Sequence, residues 1–140
     1  MIKTDINEII EVFEKDTDLF IGLMPNIKKV IHGYYYNDIE FIIYLQPENE
    51  VIDIIKNIVE TEKTINFIKW SDSSKIIQGN GDVVLLETDE EKINGLNYIV
   101  KQTGKNNNYD VNKNDIKDLI IIKLKVENVY LINNSKNYFA

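Results

Sequence analysis

His32 is the only histidine in the 140-residue chain, and so the only side chain whose ordinary pKa lies near neutrality. Placed mid-strand beside Tyr34, Tyr35 and Tyr36, it could shuttle a proton or contact a substrate. The plainer reading is a half-exposed strand histidine. No cysteine is present, which removes a thiolate nucleophile, a disulfide framework and a Cys-based zinc or iron–sulfur site together. A protein-only metal site would then rest on carboxylates, several of which must converge in space. The acidic stretches from Glu48 to Asp53 and from Thr88 to Glu91 sit where helices are expected to begin. Carboxylates in a first helical turn complement the helix dipole, and that explains these two stretches better than acid–base or metal chemistry does.

The aromatic residues offer a second kind of chemistry. Three consecutive tyrosines invite a stacking platform, but strand alternation sends Tyr35 to the face opposite Tyr34 and Tyr36, and tyrosines in strands commonly serve packing. Trp70 could wall a planar ligand, cover a subunit contact or fill a core. Gln78-Gly79-Asn80-Gly81 lacks the strand-to-helix context and the Lys-Ser/Thr of a phosphate loop. Glycine inside a strand marks a bulge, or a place where a ligand or another backbone comes close.

Composition narrows the class of partner. The formal net charge is -7 and every cation is a lysine, because arginine is absent. An acidic chain repels phosphate backbones, which argues against a general nucleic-acid binder. It also lacks the planar fork suited to bidentate phosphate recognition. The bias toward Ile, Asn and Lys fits an A+T-rich genome, so asparagines carry little functional signal. No basic-then-apolar leader is evident at Met1 to Asp5, and no apolar run approaches the roughly 20 residues that span a bilayer. A cytoplasmic protein without membrane contact is expected. At this length a single domain, residues 1–140, can bury roughly two-thirds of its unfolded surface without a staple.

The elements that must position these residues follow from periodicity. Asp5 with Glu8 opens a first helix whose apolar face is Ile6, Ile9, Ile10 and Phe13. Leu19 to Met24 reads as a short buried strand, with Pro25-Asn26 turning the chain. Lys28 to Tyr36 is a second strand, with Lys28, Val30, His32, Tyr34 and Tyr36 on one face. Asn37-Asp38 turns it into a third strand, Ile39 to Leu45. Pro47 opens a helix with Val51, Ile54, Ile55 and Ile58 as its apolar stripe. Thr64 to Trp70 and Lys75 to about Leu86 are strands around the polar turn Ser71 to Ser74. Thr88 and Glu91 box the start of a helix expected to bury Ile93, Leu96, Ile99 and Val100 and to end at Gly104. Lys105 to Asn114 is a polar loop, and Leu119 to Val126 a final strand extended by Val129 to Ile132. Short antiparallel strands in this order predict an α+β fold, a barrel with flanking helices rather than a doubly wound sheet.

That order resembles the FMN-binding split barrels of the pyridoxamine 5'-phosphate oxidase family over nearly the whole chain. "DLFIGLM" is similar to the family's first strand and "KVIHGYYYNDIEFIIY" to its second and third. "NEVIDIIKNI" is similar to the helix that follows, and "KTINFIKW" with "KIIQGNGDVVLLETDEEK" to its paired strands and next helix start. The resemblance implies a homodimer with FMN in a cleft between subunits. Lys29, His32, Tyr44, Gln46 and Asn49 would lie near the phosphate and ribityl chain, and Tyr34, Trp70 and Gln78 near the ring or substrate. Where the family commonly has a Ser or Thr and a Gly-x-Lys for the phosphate, this chain has Tyr44, Leu45, Gln46 and Asn49, and the second-strand arginines are missing. Oxidation of pyridoxamine phosphate itself, whose substrate carries another phosphate, is therefore not expected.

Three readings follow. The first is a flavin-dependent redox protein with a small-molecule substrate. The second is a binding or interaction module that kept the barrel and lost the flavin. The third is a barrel holding another cofactor, heme or a deazaflavin.

Overall fold

The computed structural model describes residues 6–15, 17–23, 26–47, 52–53, 56–57, 60–61, 64–71, 75–103 and 119–133. Helix α1, Ile6–Glu14, turns Ile9, Val12 and Phe13 inward. Strands β1 (Leu19–Leu23), β2 (Asn26–Tyr36), β3 (Phe41–Gln46), β4 (Thr64–Trp70), β5 (Lys75–Leu85) and β6 (Ile122–Asn133) form a closed antiparallel barrel in the order β1-β2-β3-β6-β5-β4. Closure leaves no open sheet edge. The predicted split barrel with flanking helices is the observed fold.

Period-two alternation fixes what faces inward. Leu19 and Ile21, Ile43 and Leu45, Ile65 and Phe67, and Ile122 and Leu124 are all buried in one interior cluster with α1. Full burial of each such side chain contributes about 1.5–3 kcal/mol. Phe13 closes the cluster, its ring centroid 5.0–6.3 Å from those of His32, Tyr34, Phe41 and Phe67. The β2–β3 hairpin turns at Asn37, whose Oδ1 accepts from the Ile39 and Glu40 amides at 2.7 Å each. This moves Ile39 out of the third strand into the turn, where it is 91% exposed.

The glycines of β5 answer to a neighbouring strand. A Cβ on Gly79 would lie 2.4 Å from the Asn128 carbonyl oxygen, and one on Gly81 2.2 Å from that of Lys125. Between them the ladder slips: Asn80 pairs with Asn128 but Gly81 with Val126, leaving Glu127 opposite nothing. Asn128 Nδ2 donates to Asn80 Oδ1 across the bulge at 3.1 Å. β6 runs unbroken to Asn133, merging the predicted last strand and its extension, and it begins at Ile122 rather than Leu119.

Helix α2, Asp89–Thr103, lies on the outer wall of β2 and β3. Thr88 caps it: its hydroxyl accepts from the Glu91 amide at 3.1 Å and donates to Glu91 Oε1 at 2.8 Å. The buried stripe is Lys92, Gly95, Leu96 and Ile99, whereas Ile93 and Val100 are each 37% exposed. Leu96 and Ile99 hold to the predicted face, while Ile93 and Val100 depart from it. The helix seats through small contacts, since a Cβ on Gly33 would stand 2.3 Å from the Tyr98 carbonyl oxygen. Gly95 likewise lies against Ile121, Tyr44 and Leu86, which rolls the helix toward its glycine side.

After Pro47, residues 52–53, 56–57 and 60–61 are helical, and Thr61 Oγ1 donates to the Asn57 carbonyl at 2.8 Å. Asp5, Met24, Pro25, the predicted stripe Val51, Ile54, Ile55 and Ile58, the turn residues Asp72 to Ser74, Gly104 and the Lys105 to Asn114 loop lie outside the described residues. No helix among the described residues is long and apolar enough to cross a membrane.

Candidate functional site

Barrel closure joins strands that are distant in sequence, and one outward-facing row results. Lys29 pairs with Phe20, Phe20 with Ile68, Ile68 with Gln78 and Gln78 with Tyr130. Lys29 on β2 and Gln78 on β5, three strands away, therefore share a single cross-strand line, with Phe20 and Ile68 between them. From Phe20 to Tyr130 that line runs along a concavity of about 430 Å³, lined by the apolar Phe20 and Ile68, by Gly79 and by the amides of Asn66, Gln78 and Asn80. Gly22 on its rim has φ 149°, a conformation that side chains with a Cβ rarely adopt. Ile27, Trp70 and Tyr130 are 51%, 37% and 48% exposed, giving this wall an apolar surface. Trp70 meets Phe20 edge-to-face, centroids 5.5 Å apart.

The expected site residues separate into three groups. Lys29, Trp70 and Gln78 share this outer wall, and Lys29 Nζ stands 4.0 Å from an Asp18 carboxylate oxygen with both side chains well exposed. Tyr44 and Gln46 face outward from β3, beside α2. Tyr44 lies flat on Tyr98, centroids 5.2 Å apart and planes 3° apart. Burial, then the neighbouring Tyr98 and Tyr35, raises its phenol pKa. Gln46 is buried and its Oε1 has no hydrogen-bond partner among the described residues.

His32 and Tyr34 form the third group, on the interior side of β2. His32 is 4% exposed rather than half-exposed, edge-on to Phe13, and its Nε2 has no hydrogen-bond partner among the described residues. Burial, reinforced by the Lys69 charge and opposed by a hydrogen bond to the Val30 backbone, lowers its pKa to about 3. The imidazole is neutral at physiological pH, and the near-neutral acid–base reading does not hold for it. Tyr34 stacks on Phe41, and its hydroxyl donates to Glu14 Oε1 at 3.1 Å. Asn49 lies outside the described residues.

Sequence reasoning missed two features. Phe20, Ile68 and Tyr130 belong to the outer wall, although Leu19 to Met24 reads as a buried strand. Lys69 is fully buried, its Nζ donating to the Lys15 and Thr17 carbonyls at 3.1 and 2.7 Å and to Thr17 Oγ1 at 2.9 Å. The Ile65, Phe67, Lys69 alternation was the available signal. No group of three or more His, Asp or Glu gathers as metal ligands among the described residues.

No known protein family and no curated protein matches the sequence. Solved structures do match. A candidate 5-nitroimidazole antibiotic resistance protein from Bacteroides thetaiotaomicron superposes with a TM-score of 0.61 at 16% identity, covering 94% of this chain and 85% of its own. A candidate pyridoxamine 5'-phosphate oxidase from Listeria innocua gives 0.52 at 12% identity, covering 91% and 95%. The chain has the pyridoxamine 5'-phosphate oxidase-like split-barrel fold. A FAD-binding protein from Mesorhizobium loti shares that split barrel, with a TM-score of 0.55 at 11% identity over 91% of this chain and 94% of that one.

Proposed function

We propose that this chain is a flavin-binding redox protein, with FMN held on the outer wall of the barrel in a cleft that a second copy completes. The observation that carries the reading is the Lys29–Phe20–Ile68–Gln78 row, with a concave apolar floor and amide edges, on a fold shared with an FAD-binding protein. The isoalloxazine ring has an apolar edge and a hydrogen-bonding edge, and Phe20 and Ile68 beside Asn66, Gln78 and Asn80 provide for both. Trp70 would wall the ring, and the exposed Ile27 and Tyr130 would meet the partner copy. Bound flavin supplies the hydride or electron chemistry on a small-molecule substrate. The protein's residues orient it and exclude water.

The phosphate side is sparser. Lys29 is the cation of the row, Lys28 alternates to the opposite face of β2, and no arginine is present. Charge-assisted bonds are the strong ones, so retention should be weaker than in a site with several cations. His32 and Tyr34, inside the wall, would act on the cofactor only by shaping β2.

A second reading, a split-barrel binding module without flavin, draws on Tyr44. Its ring packs flat on Tyr98 of α2, at a position where the resembled family commonly has a Ser or Thr for the phosphate. Purified protein separates the two. Yellow protein whose visible flavin absorbance survives desalting, or a thermal shift with added FMN, supports the first reading. Colourless protein with no shift at saturating FMN defeats the first.

A further inference from the structure

The rim of the barrel carries a second concavity that shares no residue with the outer row. It is a crevice of about 610 Å³ between α1 and α2 above the end of β2, within the size range of small-ligand sites. Tyr34, Tyr35, Tyr36 and Tyr98 line it, Glu14 stands on the α1 side and Lys101 on the α2 side. Tyr35 and Tyr98 meet edge-to-face, centroids 5.4 Å apart. The Tyr34 hydroxyl donates to Glu14 at 3.1 Å, which directs phenolic oxygen and carboxylate together toward the same space. Burial and then this hydrogen bond hold the Tyr34 phenol at about 12, so the ring stays a neutral π-donor.

We propose that this crevice binds a small organic ammonium ion, its cationic head against the tyrosine rings and its charge balanced by Glu14. Ring faces carry negative potential, and several aromatic faces around one carboxylate are what an alkylammonium group recognises. The chain's net charge of -7 adds long-range attraction for a cation. Lys101 is exposed and also lines an adjoining concavity with Asn94 and Asn97. Its long stem can turn the ammonium toward that side, away from a ligand in the crevice.

The probe is choline, titrated against the full chain while tyrosine ring protons are followed by NMR, beside dimethylbutanol, its neutral carbon isostere. Choline should shift the rings saturably and the isostere should not. Glu14→Gln should weaken choline about two- to fivefold, the range for one exposed charge contact. Lys101→Met should tighten it by a similar factor. Both residues are exposed, so the fold is retained. No saturable shift with choline, an equal response to the isostere, or unchanged affinity in Glu14→Gln would overturn the proposal. Weaker binding in Lys101→Met would also overturn it, since removing a like charge from beside a bound cation can only favour that cation.

Discussion

Lys69 Nζ donates to the Thr17 carbonyl oxygen at 2.7 Å from a side chain with no solvent exposure, tying the end of β4 to the segment that joins α1 to β1. The Thr17 hydroxyl passes the connection on to the Trp70 carbonyl. One buried ammonium thus satisfies two carbonyls and a hydroxyl that would otherwise be desolvated beside the helix end.

Lys69→Ala should accordingly destabilise the protein by about 2–4 kcal/mol, combining unpaired acceptors with a cavity. Lys69→Met fills the space without the bonds and should cost less. Urea unfolding followed by circular dichroism reads the difference. Equal stability of wild type and Lys69→Ala would show that the clip does not hold α1.

His32 predicts an acid limit. Its folded pKa of about 3 lies below its unfolded value of 6.5, so below pH 6.5 the unfolded chain binds a proton that the folded chain refuses. The stability contributed by neutral His32 is complete above pH 6.5 and is lost as pH falls toward 3. The loss is about 2 kcal/mol by pH 5. His32→Leu should flatten this dependence relative to wild type, whatever its own stability. Parallel pH–stability curves for the two proteins would refute the assignment.

Gly33 has no room for a methyl group, because the atoms a Cβ would meet belong to the α2 backbone. Gly33→Ala should cost about 2 kcal/mol or more by pushing the helix off β2. Gly22→Ala strains a φ of 149° instead. Thermal melts distinguish the mechanisms when combined with Tyr44–Tyr98 contacts seen by NMR: loss of the contact is expected only for Gly33→Ala.

The outer row makes a prediction about the cofactor. Lys29→Ala and Gln78→Leu should each weaken FMN binding about three- to tenfold while leaving the melting temperature of the apoprotein unchanged, since both side chains are exposed. Titration of apoprotein with FMN by fluorescence quenching measures this. Unaltered affinity in both variants would place the flavin elsewhere.

Local patterns carried much of the fold. β-Branched runs located β4 residue for residue, alternation put His32, Tyr34 and Tyr36 on one face of β2, and Thr88 with Glu91 marked the start of α2. Long-range pairing was hidden. Nothing in the chain order says that β1 lies beside β4 or that β3 lies beside β6, yet the Lys29–Gln78 row exists only through such contacts. Half of the α2 face, Ile93 and Val100, was misread for a related reason: Gly95 and Lys92 look like solvent-side residues until Gly33 and Ile121 are known to press against that helix. Lys69 was overlooked because a charged residue inside a barrel runs against the usual partition, and its compensating carbonyls come from far along the chain.

The unpaired Glu127 has an effect larger than its own side chain. If Glu127 took an ordinary place in the ladder instead of being absorbed by the bulge, the in–out parity of β6 beyond it would invert, driving Tyr130 into the interior and turning Val129 and Leu131 to the outside. The bulge that absorbs Glu127, rather than any property of the tyrosine, therefore decides that the outer wall has an aromatic at that edge.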